Sequence, residues 1–212
     1  GRLGALDRSR RFVGGRILGQ GWVAPPLDRE SLAHWSRDDL AGYLRTGVAP
    51  QASAYGPMAE VVGSSLRHLT ESDARAIAEY LLSLPPLPQR PAPPARPARQ
   101  TVGPASTALY EKHCADCHGR DGRGRARVYP PLDGNPQVVA SDPVNLMRVV
   151  LFGAAPPTTP GNPAPHTMPP FADRMPEADL LAILNHVRGS WNNDAGEIPP
   201  YQLRQARALP LE

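Results

Sequence analysis

The sequence predicts an all-α fold made of two tandem units, the first incomplete, joined by a proline-rich linker. Three observations predict it. Glu71-Ser72-Asp73-Ala74-Arg75-Ala76-Ile77-Ala78-Glu79-Tyr80-Leu81 aligns without a gap on Glu177-Ala178-Asp179-Leu180-Leu181-Ala182-Ile183-Leu184-Asn185-His186-Val187, sharing Glu, Asp, Ala and Ile at equal offsets. Repetition at that spacing marks two copies of one structural unit. Leu180, Ile183, Leu184 and Val187 follow the 3, 4 and 7 spacing of one helix face. Seven prolines fall within residues 85–97, a composition that favours an extended, semi-rigid spacer. An SH3-type ligand is the other reading of such a run.

Each element follows from local signals. Ser36-Arg37-Asp38-Asp39 opens a helix over 37–46 with a capping box, and Gly47 stops it. A loop with Met58 leads to a second helix, 71–83. Residues 85–100 are the linker. A helix over 104–117 opens the second unit, Ser141-Asp142-Pro143 starts another over 142–152, and Gly153 ends that one as Gly47 ends its counterpart. A loop with Met168 then leads to a closing helix over 176–190. Little strand is expected. The units span 1–84 and 101–191. Residues 192–212 form a proline-broken tail carrying Leu203, Ala206 and Leu209, which either packs on the second unit or leads toward a partner.

Chemistry concentrates in Cys114-Ala115-Asp116-Cys117-His118, which holds both cysteines of the chain. C-x-x-C-H is the attachment pattern of a c-type haem. Two thiols one turn apart reach the two vinyl groups, and the next residue offers an imidazole to the iron. A thioredoxin-type motif would follow a strand in a βαβ pattern, and none surrounds it. Zinc needs a fourth ligand and rarely takes a histidine directly after the second cysteine. A low-spin electron carrier needs a second axial ligand. Met147 lies inside an apolar helical stretch and Met175 opens the last helix, so both read as packing residues. Met168 sits before Pro169 and Pro170, which stiffen the backbone around its thioether. Met168 is therefore the expected ligand, with His166 a competitor. Met58 is its counterpart in the first unit, where no C-x-x-C-H precedes it. Residues 1–84 are accordingly either part of a longer haem domain or a domain that has lost its haem. His113 reads as a surface residue and His186 as a packing one.

Residues 101–191 resemble a class I c-type cytochrome: Tyr110 one turn before the motif, Tyr129-Pro130-Pro131-Leu132-Asp133-Gly134-Asn135-Pro136 after it, then Met168-Pro169-Pro170-Phe171 and the helix from Glu177 to Trp191. The resemblance implies that a proline carbonyl, from Pro130 or Pro131, accepts the proximal histidine's ring N–H. It implies Tyr110 as part of the haem surroundings. The whole chain resembles the multi-haem cytochrome c subunit of bacterial membrane-bound alcohol- and gluconate-type dehydrogenases. That rests on Gly21-Trp22-Val23-Ala24-Pro25, Trp35-Ser36, Gly56-Pro57-Met58-Ala59-Glu60-Val61-Val62, His68-Leu69-Thr70 and Ser190-Trp191-Asn192-Asn193. It implies haem c, one per chain as given and a second in a longer parent chain. The implied partners are a catalytic dehydrogenase subunit of flavin, quinoprotein or molybdenum type and a quinone or oxidase acceptor. The implied location is the periplasm, on or near the membrane face, with membrane association through segments outside this sequence.

Charge narrows the classes further. Lys and Arg total 23 against 20 Asp and Glu, a net of +3. The excess sits in the linker, so a nucleic-acid face is not expected. Arg120, Arg123, Arg125 and Arg127 cluster after the motif, as a solvated loop, a haem propionate partner or a docking rim. No run of 18 apolar residues suggests a membrane span. No catalytic triad, carboxylate pair or phosphate loop is legible. The expected role is therefore electron relay, not an enzyme. A peroxidase-type haem enzyme and a docking module for a catalytic subunit are the alternatives.

Overall fold

The computed structural model describes residues 11–87 and 102–208, and these are mostly helical. A short antiparallel hairpin comes first, β1 (Gly15–Ile17) and β2 (Trp22–Ala24), with Arg16 opposite Val23. Helix α1 (Arg37–Thr46) is capped as expected: the Ser36 hydroxyl oxygen accepts from the Asp39 amide at 3.0 Å, and Gly47 closes it in the left-handed region. The two-residue strands β3 (Val48–Ala49) and β4 (Ala52–Ser53) pair antiparallel. Helix α2 (Gly56–Ser64), a 3-10 turn at Leu66–His68, and α3 (Glu71–Ser83) complete this half. Thr70 caps α3 by accepting from the Asp73 amide at 3.1 Å.

After residue 101 come α4 (Pro104–His113), the single turn α5 (Ala115–His118), α6 (Val144–Phe152), α7 (Glu177–Gly189) and α8 (Pro200–Ala208). The expected continuous helix over 104–117 is broken, because Cys114 leaves helical geometry at φ −126°. Met58 lies in the first turn of α2, not in a loop; Pro57 at the start of that helix fits a position whose N–H needs no partner. The start of α6 is served by Asp142, whose carboxylate accepts from Val144 N at 3.2 Å, and not by Ser141. The linker residues from 88 to 100 lie outside the described residues, as do residues 209–212.

Packing divides into two apolar clusters. In the first, Leu32, Leu40 and Ala41 meet Ala74, Ala78 and Leu81 where α1 lies on α3. Alanines at that contact let the two helices approach closely. In the second, Val144, Leu146, Met147 and Leu151 of α6 meet Leu180, Ile183, Leu184 and Val187 of α7, with Leu203 and Ala206 of α8 closing the far side. The expected tail thus packs on the second cluster.

Helices α4 and α7 cross at Tyr110, which is 1% exposed. Its ring stacks on His186 at 5.0 Å and meets Trp191 edge-on at 5.4 Å. In the last turn of α7, buried Arg188 donates to the carbonyls of Val138, Ala140 and Gly196. Burial pushes its guanidinium down to about 10.

The halves touch through polar groups. The Asn145 side chain accepts from Val23 N at 2.9 Å and donates to Val23 O at 2.8 Å. Arg16 meets Asp142 at 2.7 Å, Arg127 meets Asp39 at 3.2 Å, and the Thr159 hydroxyl donates to Thr46 O.

Burial holds the His186 imidazole below its ordinary value of 6.5, opposed by Glu111. The native ring therefore stays neutral where the unfolded one is already charged. Stability from this group is complete above 6.5 and is lost as pH falls through the depressed native value. Replacing His186 with Phe should flatten the fall in unfolding free energy below about pH 6, measured by denaturant titration of the haem-loaded chain. An unchanged slope would assign the acid sensitivity elsewhere.

Candidate haem site

The motif is laid out by one turn of backbone. The Cys114 carbonyl accepts from the amides of Cys117 and His118, at 3.3 and 3.0 Å, so α5 closes on itself. Cys114 is half-buried, Cys117 is exposed, and both thiols are free. Burial, then the neighbouring Cys117, pushes the Cys114 thiol up to about 11.

His118 is oriented by the loop that follows. Its Nδ1 lies 3.0 Å from the Pro130 carbonyl. A carbonyl only accepts, so Nδ1 carries the proton and Nε2 keeps its lone pair. Burial holds the ring below its ordinary value, opposed by that hydrogen bond. A neutral imidazole with a fixed tautomer is the form that binds iron. Between the two candidate prolines the structure selects Pro130. The Pro131 carbonyl instead accepts from Asn135 Nδ2 at 2.8 Å, so Pro131 has no place as partner of the histidine ring.

Three sets of contacts hold Pro130. Gly124 N donates to His118 O at 2.8 Å, and Leu132 N and Asp133 N both donate to Gly122 O. The Tyr110 hydroxyl donates to Gly119 O at 2.7 Å, which ties the next residue after His118 to the helix crossing. Tyr110 thus touches the site through the backbone. Asn193 then fastens the loop to the end of α7: its amide donates to Leu132 O and Val187 O, and its oxygen accepts from Gly134 N. That clamp was not legible as a role for Asn193, because two of its three partners, Leu132 and Gly134, lie 61 and 59 residues away.

Met168 is pinned by its own backbone. Its amide donates to Ala154 O at 2.8 Å and its carbonyl accepts from Ala154 N at 3.1 Å. Just beyond, Phe171 N donates to the carbonyls of Val150 and Leu151. A Cβ on Gly153, which sits at φ 79°, would meet the Met168 carbonyl oxygen at 2.5 Å. Gly153 read from the sequence only as a helix stop; it also makes room for the Met168 loop. The other methionines divide as expected: Met147 is 3% exposed in the core and Met175 packs against it. His166 is exposed, its ring edge 5.2 Å from Tyr129. His113 is half-buried and meets Phe171 edge-on, so it is less of a surface residue than expected.

The arginines after the motif are individually compensated. Arg120 pairs with Glu111, Arg123 with Asp121 and Arg127 with Asp39, while Arg125 lies over the Tyr129 ring at 5.2 Å. That leaves little bare positive rim. The donor set as a whole fits a covalently held haem: two free thiols one turn apart and a tautomer-fixed imidazole. When bound, such a group supplies a one-electron couple at iron. The chain's part is to orient His118 through the Pro130 carbonyl and to brace the turn through the Tyr110 hydroxyl.

Comparisons with known proteins agree with that fit. Residues 104–187 match the family described as cytochrome c oxidase, cbb3-type, subunit III. The chain is 35% identical over 184 residues to the cytochrome c subunit of a quinone-type alcohol dehydrogenase from Gluconobacter oxydans, covering 82% of this chain and 38% of that protein. It is 34% identical over 195 residues to the corresponding Gluconacetobacter polyoxogenes subunit, covering 87% and 42%. It is 34% identical over 186 residues to the gluconate 2-dehydrogenase cytochrome c subunit of Pantoea cypripedii, covering 82% and 42%. The chain therefore spans less than half the length of these relatives.

Placing a side chain at Gly153 should disturb the loop that carries Met168. The Gly153→Ala variant puts Ala at φ 79°, ψ −180°, a region essentially reserved for glycine, at about 1–3 kcal/mol, and crowds the Met168 carbonyl. The expected result is a mixed-spin ferric spectrum in the haem-loaded protein, read by absorption and electron paramagnetic resonance. A wild-type spectrum would show that the loop keeps its position without the glycine.

Proposed function

We propose that residues 104–187, by their match to that cytochrome family and to cytochrome c subunits of dehydrogenases, form a c-type cytochrome domain, and that the chain relays electrons from a partner dehydrogenase toward a quinone or an oxidase. The observation that carries the reading is the His118–Pro130 hydrogen bond beside the C-x-x-C-H turn, which commits one ring nitrogen to the backbone and leaves the other for iron. Met168 is the second axial ligand in this reading. A filled coordination sphere leaves no site for substrate, and the Met/His pair favours the reduced state, which raises the potential. The peroxidase-type alternative needs an open iron and has no supporting observation. The relatives are cytochrome subunits of alcohol and gluconate dehydrogenases. That supports a dehydrogenase partner, whether flavin, quinoprotein or molybdenum, that hands over electrons singly. Covalent haem and these relatives support a periplasmic location. Among the described residues no helix is long and apolar enough to cross a membrane.

The two-unit reading gains support from a second repeat. Val23-Ala24-Pro25-Pro26-Leu27-Asp28 and Val128-Tyr129-Pro130-Pro131-Leu132-Asp133 share five of six residues. The backbone repeats with them. Leu27 N donates to Phe12 O, at φ 62°, as Leu132 N donates to Gly122 O, at φ 69°. A Cβ on Gly14 would meet the Ala24 carbonyl oxygen, as one on Gly124 would meet that of Tyr129. Asp28 accepts from Leu87 N just beyond α3, as Asp133 accepts from Asn192 N just beyond α7. By this correspondence Pro25 stands where Pro130 stands, and Met58 where Met168 does. Residues 11–87 are thus read as the later part of a related haem domain.

Changing Met168 to Ala should convert the ferric protein to high spin and admit cyanide, while Met175→Ala should leave it low-spin. The reverse pattern would move the ligand to Met175. The purified chain should accept electrons from small reductants and oxidise no alcohol, sugar or aldehyde until a dehydrogenase subunit is added. Substrate oxidation by the chain alone would replace the relay reading with the enzyme one.

A further inference from the structure

The loop that carries Met168 is tied at both ends, and its far end is seated on the first half of the chain. Its base is the pair of backbone hydrogen bonds between Ala154 and Met168, just after α6. Its tip is a second such pair, between Thr159 and Asn162, at 3.1 and 3.0 Å. The tip rests on the end of α1, on α2 and on the 3-10 turn. The Thr159 hydroxyl, on a residue only 2% exposed, donates to Thr46 O at 3.1 Å, and Arg67 donates to Thr158 O at 3.3 Å. Pro157 enters a slot between α1 and α2. A Cβ on Gly47 would meet its ring at 2.7 Å, and one on Gly63 would meet its Cβ at 3.4 Å. A Cβ on Gly161 would in turn meet the Thr46 side chain. Gly63 lies inside α2, where glycine weakens a helix relative to alanine. What it supplies there is room for Pro157.

We propose that the first half is a positioning element for the second axial ligand: by seating Pro157, the slot between Gly47 and Gly63 holds the 154–168 loop in the place from which Met168 meets the iron. The inference rests on the reading of Met168 as that ligand, and it needs no haem in residues 11–87. A thioether is a neutral ligand that stronger donors displace, so its hold depends on how seldom the loop opens. An isolated hairpin is marginal in water, and the pair at Ala154 and Met168 alone is less than a hairpin. A loop closed only there opens locally at little cost. The brace at the tip suppresses those openings. Proline has little φ freedom with which to yield, and unseating the tip breaks the hydrogen bond of the buried Thr159 hydroxyl.

The test uses the haem-loaded chain in its ferric state, with imidazole as the probe that competes with Met168. Gly63→Leu fills the slot from the side of α2. It should speed imidazole binding about tenfold and speed amide exchange at Ala154 and Met168 by a similar factor. The sulfur-to-iron charge-transfer absorption should weaken and the midpoint potential should fall. Gly63→Ala, whose methyl fits at ordinary contact distance, should stay within about twofold of wild type in both rates. Pro157→Ala withdraws the wedge with α2 untouched and should move every readout in the same direction as Gly63→Leu. Arg16→Ala, which removes the contact to Asp142 elsewhere between the halves, should match wild type. Wild-type imidazole and exchange rates in both Gly63→Leu and Pro157→Ala overturn the inference while the Met168 reading stands. Faster amide exchange with an unchanged imidazole rate and potential also overturns it, because the braced loop would then not govern the ligand. Equal changes in Arg16→Ala overturn it too, since a generally loosened contact would be the cause. A low-spin ferric Met168→Ala variant overturns the ligand reading and this inference together.

Discussion

Most of the second half depends on one hydrogen bond, from His118 Nδ1 to the Pro130 carbonyl. A proline carbonyl is a good partner for this purpose, because the ring fixes φ and the residue has no N–H to compete for a backbone partner. The carbonyl in turn is held by a loop whose amides return to Gly122 and whose far end is stitched to α7 by Asn193. Tyr110 and His186 then lock α7 to the helix that leads into the motif. The imidazole is thus fixed by a closed circuit of backbone, with few side chains involved. Such a circuit would move little if an iron held by His118 changed charge, and a small reorganisation is what fast electron exchange would require.

Much of this was legible in the sequence, for physical reasons. C-x-x-C-H states its chemistry through spacing alone. The cap at Ser36 and the stops at Gly47 and Gly153 are local events, readable from neighbours in the chain. The repeat between α3 and α7 showed because both helices bury the same face, although His186 is buried where Tyr80 is exposed. Met147 and Met175 were separable from Met168 because periodicity and position distinguish a core residue from a loop residue.

The rest was hidden by distance along the chain. Choosing Pro130 over Pro131 requires the three-dimensional path of the loop. Helix α8 lacked a signal because Leu203 and Ala206 are too few to define a face, and only the groove beside α6 makes them one. Helix α2 starts at Gly56-Pro57, a pair that reads more readily as a turn. The Cys114 break is set by the need to close α5, which no propensity scale records. The helix expected over 142–152 begins at Val144, two residues later, as helix boundaries commonly shift.

Asn145 has a consequence for how these two halves can vary. Its carboxamide grips both polar atoms of the Val23 peptide unit and ignores the Val23 side chain for that purpose. The amide behaves as a one-residue surrogate strand. Recognition through main-chain atoms is blind to residue identity at position 23, yet demands that the chain there stay extended and keep its N–H. Substitutions at 23 are therefore limited by the packing of its side chain on the second cluster and by the need for an N–H, not by Asn145, whereas Asn145→Asp forfeits the donor and sets a charge against a carbonyl. The alignment of the halves is inherited from α6, and the partner surface can diverge without losing its place.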